Sequence, residues 1–214
     1  MCGKIVDEFN FVHLSAGDLL RAELASGSAN AELIQTYIDD GKIVPVEITV
    51  TLIKNAMKEA IAATVPKNRF LVDGFPRNED NLHGWTKVRC FPSDLSCFPH
   101  GPFPDSPTRT RSLFLSVCLF FPAQVMEGFA NVKFVLFMDC DEETMEKRCL
   151  GRAEGQGRSD DNVETIRKRF HTYVNSTRPI IELFEQQKLV KTIDARPAAD
   201  VVFAAVKAAF ADFA

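Results

Sequence analysis

The run Val132-Lys133-Phe134-Val135-Leu136-Phe137-Met138 limits the fold more than any other stretch, because six of its seven residues are apolar. A strand with one wet face alternates apolar and polar side chains, so a continuous apolar run calls for a strand covered on both faces. Phe11-Val12-His13-Leu14, Phe70-Leu71-Val72-Asp73 and Leu189 to Ile193 are three further short runs that read as strands. Amphipathic stretches separate them and predict helices over about 17–25, 30–41, 46–63, 141–151, 162–175, 177–187 and 198–212. Such alternation predicts an α/β chain built on a doubly wound parallel sheet with helices on both faces. No internal repeat is visible, and 214 residues suit a single domain over 1–214.

Charge narrows the partners. The formal net charge is −4, so no basic excess marks a nucleic-acid or anionic-membrane surface. A chain of this balance that binds a polyanionic ligand must gather its arginines in one place. No apolar run reaches the 18 residues of a membrane span, and the first residues do not read as a signal peptide, which makes the cytoplasm the expected compartment. Cys2, Cys90, Cys97, Cys118, Cys140 and Cys149 form no CxxC pair and no spacing suited to zinc, so they are expected to be reduced, mostly structural thiols.

Residues 88–124 are a different kind of sequence. They hold six of the 18 phenylalanines and six of the 11 prolines. Prolines at 92, 99, 102, 104 and 107 argue against a continuous helix and against a central strand, and the segment is expected to be a disordered insertion. Its residue types are those of pyrimidine-rich codons. Phe120-Phe121-Pro122-Ala123-Gln124 can be spelled as a pyrimidine tract ending in CAG, and Val88-Arg89 as GTGCGT, so the 37 residues read as a retained in-frame intron. A long functional lid is the competing reading.

Polar groups follow two of the strands, where open α/β sheets bind ligands. Ser15-Ala16-Gly17-Asp18 follows the first, and Asp73-Gly74-Phe75-Pro76-Arg77 the second. An aspartate at that strand end can anchor magnesium-bound water, and can equally cap a turn. Arg21, Arg77, Arg152, Arg158 and Arg169 are spread along the chain. Guanidinium forks suit phosphate oxygens and the charge of a transferring phosphoryl group, whereas most single arginines serve in surface ion pairs.

Four motifs in order carry a resemblance: Ser15-Ala16-Gly17-Asp18-Leu19-Leu20-Arg21, Gly41-Lys42-Ile43-Val44-Pro45, Asp73-Gly74-Phe75-Pro76-Arg77-Asn78 and Gly157-Arg158-Ser159-Asp160-Asp161-Asn162. Together they resemble the nucleoside monophosphate kinases, specifically the UMP-CMP kinases, across nearly all of 2–87 and 125–214. The resemblance implies a P-loop kinase-like fold with a mobile monophosphate-binding arm at about 15–44 and a lid at about 152–162. It implies transfer of phosphoryl from ATP to CMP, UMP or dCMP, with Mg2+ as cofactor. Arg21 and Arg77 would hold the acceptor phosphate, with Gly74, Phe75 and Pro76 shaping that site. Lys42, Ile43 and Val44 would line the acceptor pocket. Asn81 would read the pyrimidine edge, since an amide offers both a donor and an acceptor. Arg152 and Pro197 would contact ATP, Arg158 and Arg169 would close over the transferring group, and Asp73 would orient magnesium-bound water. Gly151, Gly155 and Gly157 would supply the lid's flexible points. The expected state is a monomer with small-molecule partners, and the nucleus joins the cytoplasm as an expected compartment.

One departure stands at the start of the chain. Kinases of this kind carry a strand and a glycine-rich loop that cradle the donor phosphates, and Met1 to Val6 aligns with the middle of the helix after that loop. The missing strand is central in the family's sheet. A gap between the remaining strands or two exposed edges, weak ATP binding, little or no kinase activity and marginal folding are therefore expected of the 214 residues. A non-catalytic nucleotide-binding relative and an adenylate kinase are the alternatives.

Overall fold

The computed structural model describes residues 1–63, 69–89, 118–122, 132–156 and 162–211. In chain order the elements are α1 (Cys2–Phe9), β1 (Val12–Ser15), α2 (Ala16–Ala25), α3 (Ala31–Asp39), α4 (Val46–Ala62), β2 (Arg69–Asp73), α5 (Glu79–Arg89), β3 (Cys118–Pro122), β4 (Val135–Asp139), α6 (Glu142–Gln156), α7 (Val163–Thr172), a π-helical turn (Tyr173–Thr177), α8 (Arg178–Gln186), β5 (Val190–Asp194) and α9 (Ala199–Phe210).

The apolar runs become strands because both of their faces are covered. Along β2, Phe70 and Val72 point into one core with Val50, Ile53 and Met57 of α4, Trp85 of α5 and Phe184 of α8. Leu71, between them, points the other way and meets Ile5 of α1 and Val202, Val206 and Phe210 of α9. On β4, Val135 divides from Leu136 and Met138 in the same manner. This is the expected doubly wound arrangement, with one core on each face of the sheet.

The sheet is not wholly parallel. Its order is β1-β2-β3-β4-β5. The pairs β1–β2 and β4–β5 are parallel, but β3 runs antiparallel to both of its neighbours. The expected gap between four strands is therefore filled, and by residues 118–122 of the segment expected to be disordered throughout. The physical reason lies in where the prolines fall. Those at 92, 99, 102, 104 and 107 are all upstream, and Cys118-Leu119-Phe120-Phe121 is a proline-free apolar run of good strand formers. Pro122, the last residue of the strand and opposite Arg69, has no N–H to give the ladder and ends it. Lys87, Val88 and Arg89 extend α5. The rest of 90–124 lies outside the described residues.

Two further boundaries differ from expectation. Helix α6 continues through Gln156, so Gly151, Arg152 and Gly155 are helical rather than part of a flexible lid. Each glycine costs a helix about 1 kcal/mol relative to alanine, and the helix formers around them outweigh that cost. Gly157 and Arg158 lie outside the described residues. The helices expected at 162–175 and 177–187 are joined by the π-helical turn at Tyr173–Thr177, just before Pro179, whose ring nitrogen can donate no hydrogen bond.

Candidate active site

A cavity of about 690 Å³ opens beyond the carboxyl ends of β1 and β2. Among its lining residues are Arg21, Arg77, Arg148, Arg152 and Arg169, against two carboxylates, Asp18 and Asp73. In a chain of net charge −4 this gathers positive charge where a polyanionic ligand needs it.

Each side of the cavity is set by local structure. Ser15 caps α2 by accepting a hydrogen bond from the Asp18 amide at 3.2 Å. That first turn presents Asp18 to Arg21, whose Nη2 donates to Asp18 Oδ1 at 2.5 Å. Ser15 and Asp73 are register partners across β1 and β2, so both motif starts reach the same rim. Gly74 follows with φ of 72°, a left-handed conformation that lets its carbonyl accept from Arg77 Nε at 2.9 Å. A Cβ there would stand 2.9 Å from Arg77 Nη2. The left-handed backbone, more than this contact with the mobile tip of Arg77, is what calls for glycine here.

Behind Arg77 sits Asn81, buried at 2 % exposure. Its Oδ1 accepts from the Arg77 amide at 3.2 Å, and its own amide donates to Asn78 Oδ1 at 2.8 Å. Its Nδ2 has no hydrogen-bond partner among the described residues. Phe75 is buried and packs edge-on against Trp85, with ring centroids 5.6 Å apart, and the Phe75–Pro76 peptide is cis.

Across the cavity, Gly41 has φ of 64° and would place a Cβ 2.9 Å from Lys168 Cβ and 3.1 Å from the Arg169 nitrogen. Thr172 Oγ1 donates to the Gly41 carbonyl at 3.0 Å. These contacts seat the turn after α3 on α7 and bring Ile43 and Arg169 to the same wall. Lys42 turns outward, its Nζ 2.7 Å from Asp40 Oδ2, and Val44 is buried.

The cavity therefore unites Arg21, Ile43, Asp73, Gly74, Arg77, Arg152, Arg169 and Pro197. It does not include Lys42, Val44, Phe75, Pro76 or Asn81 among its lining, and Arg158 lies outside the described residues. Arg148 is a residue that sequence reasoning missed. Its Nη1 donates to the Ala195 carbonyl at 2.7 Å and its Nη2 to the Arg196 carbonyl at 3.2 Å, which pins the turn carrying Pro197. Its spacing of four from Arg152 on one helix face was the available signal.

His13, on β1, also lines the cavity. The Asp73 carboxylate first, and the Cys2 thiol second, push its pKa up to about 10 against the opposing effect of burial. At 3.8 Å, His13 Nε2 and Asp73 Oδ2 are too far apart for a good hydrogen bond, so their attraction is that of an ion pair.

Comparisons with known proteins identify the family. The adenylate kinase family model matches residues 1–90. The UMP-CMP kinase of Gallus gallus is 46 % identical over 203 residues, covering 94 % of this chain and 85 % of the relative. Those of Homo sapiens and Xenopus laevis are each 44 % identical, with 85 % and 90 % of their lengths covered. The chain belongs to the UMP-CMP kinases of the adenylate kinase family. It is a nucleoside monophosphate kinase.

Proposed function

We propose that this kinase transfers the terminal phosphoryl group of ATP to pyrimidine nucleoside monophosphates, namely CMP and UMP, with dCMP also accepted. The observation that carries the reading is the convergence of Arg21, Arg77, Arg152 and Arg169 on one cavity. Phosphoryl transfer asks the protein mainly for positioning and for positive charge around the transferring group. Arg21 and Arg77 take the acceptor phosphate, where the Gly74 carbonyl orients the guanidinium. Arg169 and Arg158 neutralise the transferring group. Arg152 and Pro197 contact the donor, and Arg148 positions the turn that bears Pro197.

Asp73 suits Mg2+, which is commonly bound through one or two carboxylates, waters and substrate phosphates rather than by a full protein cage. When bound, the ion offsets phosphate charge. Exclusion of water from the cavity protects ATP from hydrolysis.

The pyrimidine preference rests on the names of the relatives, while Asn81 supports the turn behind Arg77 from outside the cavity lining. A coupled ADP-release assay with CMP, UMP and AMP tests this. The expected kcat/KM for CMP and UMP exceeds that for AMP by at least about tenfold, a difference of about 1.4 kcal/mol in transition-state binding. Preference for AMP would overturn the assignment and favour an adenylate kinase.

A further inference from the structure

One wall of the cavity brings together three metal-ligating side chain types that no pyrimidine kinase reaction requires as a set. Cys2 opens α1, His13 lies on β1 and Asp73 ends β2. A ligand atom from each lies within 4.8 Å of the other two. The parallel register makes this local. Ser15 pairs with Asp73 and His13 with Leu71, so His13 and Asp73 sit diagonally on one sheet face. Leu71 and Ile5 of α1 share the core on that face, which brings the start of α1, and with it Cys2, to the same spot.

The donors are a thiol sulfur, an imidazole nitrogen and a carboxylate oxygen. This mixture suits zinc and its neighbours and does not suit magnesium, which takes oxygen. Ligand distances of about 2.0–2.3 Å around a tetrahedral ion put donors about 3.3–3.8 Å apart. The 3.8 Å separation of His13 Nε2 and Asp73 Oδ2 already meets that range. Since no pair of donors is more than 4.8 Å apart, closing the remaining pairs to that range takes at most about 1 Å of side-chain movement in three half-buried residues.

We propose that Cys2, His13 and Asp73 form a three-ligand site for a zinc-class divalent cation, whose fourth position faces the cavity. All three residues line the cavity wall, so a water or a phosphate oxygen can complete the tetrahedron. On binding, Cys2 gives up its thiol proton and His13 the imidazolium proton that Asp73 holds on it, both released to solvent, so binding strengthens as pH rises. Occupancy takes Asp73 away from Mg2+, so a zinc-class ion and the magnesium-dependent reaction compete for one carboxylate.

The test is titration of the full 214-residue chain with Co2+, followed by displacement with Zn2+. The expected spectrum has d–d bands of tetrahedral intensity and a near-ultraviolet sulfur-to-cobalt charge-transfer band, and Zn2+ removes both. Cys2→Ser should abolish the charge-transfer band. His13→Gln and Asp73→Asn should each weaken Zn2+ binding at least about tenfold, since loss of even an outer-shell partner costs about 10–100-fold. Far-ultraviolet circular dichroism confirms that each variant is folded, and Cys2 is a half-buried residue at the chain start whose serine variant keeps its size. A weak octahedral cobalt spectrum, a charge-transfer band that survives Cys2→Ser, or equal Zn2+ affinity in all four proteins would overturn the proposal. These readouts do not depend on kinase activity, so their failure would leave the pyrimidine assignment standing.

Discussion

Gly84→Ala tests whether the α4–α5 contact fixes the acceptor side of the site. A Cβ at position 84 would lie 2.2 Å from Val46 Cγ2 and 3.4 Å from Val46 Cβ and Cγ1. Carbon atoms pack at about 3.5–4.0 Å, so the overlap exceeds 1 Å. Valine has one strongly preferred rotamer in a helix, so the overlap is relieved by an unfavourable rotation or by moving the helices apart. Overpacking of this kind costs about 1–3 kcal/mol, and the severe overlap places it toward the upper end. Replacing a helical glycine by alanine returns about 1 kcal/mol. The net expectation is a loss of about 1–2 kcal/mol, or roughly 5 °C in midpoint for a chain of this size. Thermal and urea unfolding followed by Trp85 fluorescence reads it directly, because Trp85 is the only tryptophan and is buried beside this contact. In a Val46→Ala background the same substitution should become neutral or stabilising, giving a coupling of about 2 kcal/mol. Because Asn81, one turn earlier on α5, accepts from the Arg77 amide and so positions Arg77, the single variant should also raise KM for the acceptor. A single Gly84→Ala variant more stable than the parent, as helix propensity alone would make it, refutes the reasoning.

Arg77→Lys keeps the charge but loses the planar fork, including the Nε–H bond to the Gly74 carbonyl. Its kcat/KM should fall about 100-fold with little change in melting temperature, and a fall under threefold would count against Arg77 in the site. Burial pushes the Cys140 thiol up to about 11, so iodoacetamide at neutral pH should leave it unlabelled until the chain unfolds, as peptide mass mapping would show. The Asp194 carboxyl is lowered to about 2, first by its hydrogen bonds from Arg196. A lowered folded value means that its small, solvent-screened contribution to stability is present above about pH 3.8 and is lost as pH falls toward 2. Carboxyl titration by NMR should return Asp194 toward its ordinary value in Arg196→Ala, and an unchanged value would exclude Arg196 as the cause. Joining Lys87 directly to Val125 removes β3 and should destabilise the 214-residue chain, since β2 and β4 lose their ladder partners. A deletion chain at least as stable as the parent would refute that and support the intronic origin of those codons.

Much of the fold was legible in the sequence because its signals are local. Phe70 to Asp73 and Val135 to Met138 declare buried strands by apolar content alone, and both cores follow from the alternation of neighbours such as Leu71 and Val72. The helix expected at about 17–25 is α2, and the structure adds the Ser15 cap that starts it at Ala16. Proline content misled at 118–122, where a few proline-free residues in an otherwise broken segment were enough for a strand. Glycine content misled at 151–156, where the surrounding helix formers carried α6 across two glycines.

The residue types, their order along the chain and the concentration of arginine were determined by the sequence itself, and they sufficed to name the chemistry. Tertiary structure decided which of those residues share a cavity. It turned Lys42 outward, placed Asn81 behind Arg77, added Arg148 as the clamp on the Pro197 turn and closed Cys2, His13 and Asp73 into one cluster. The reason is range. Periodicity and turn chemistry act over a few residues, whereas Cys2 and Asp73 meet only because a parallel register and a helix crossing set the separation of atoms 71 residues apart.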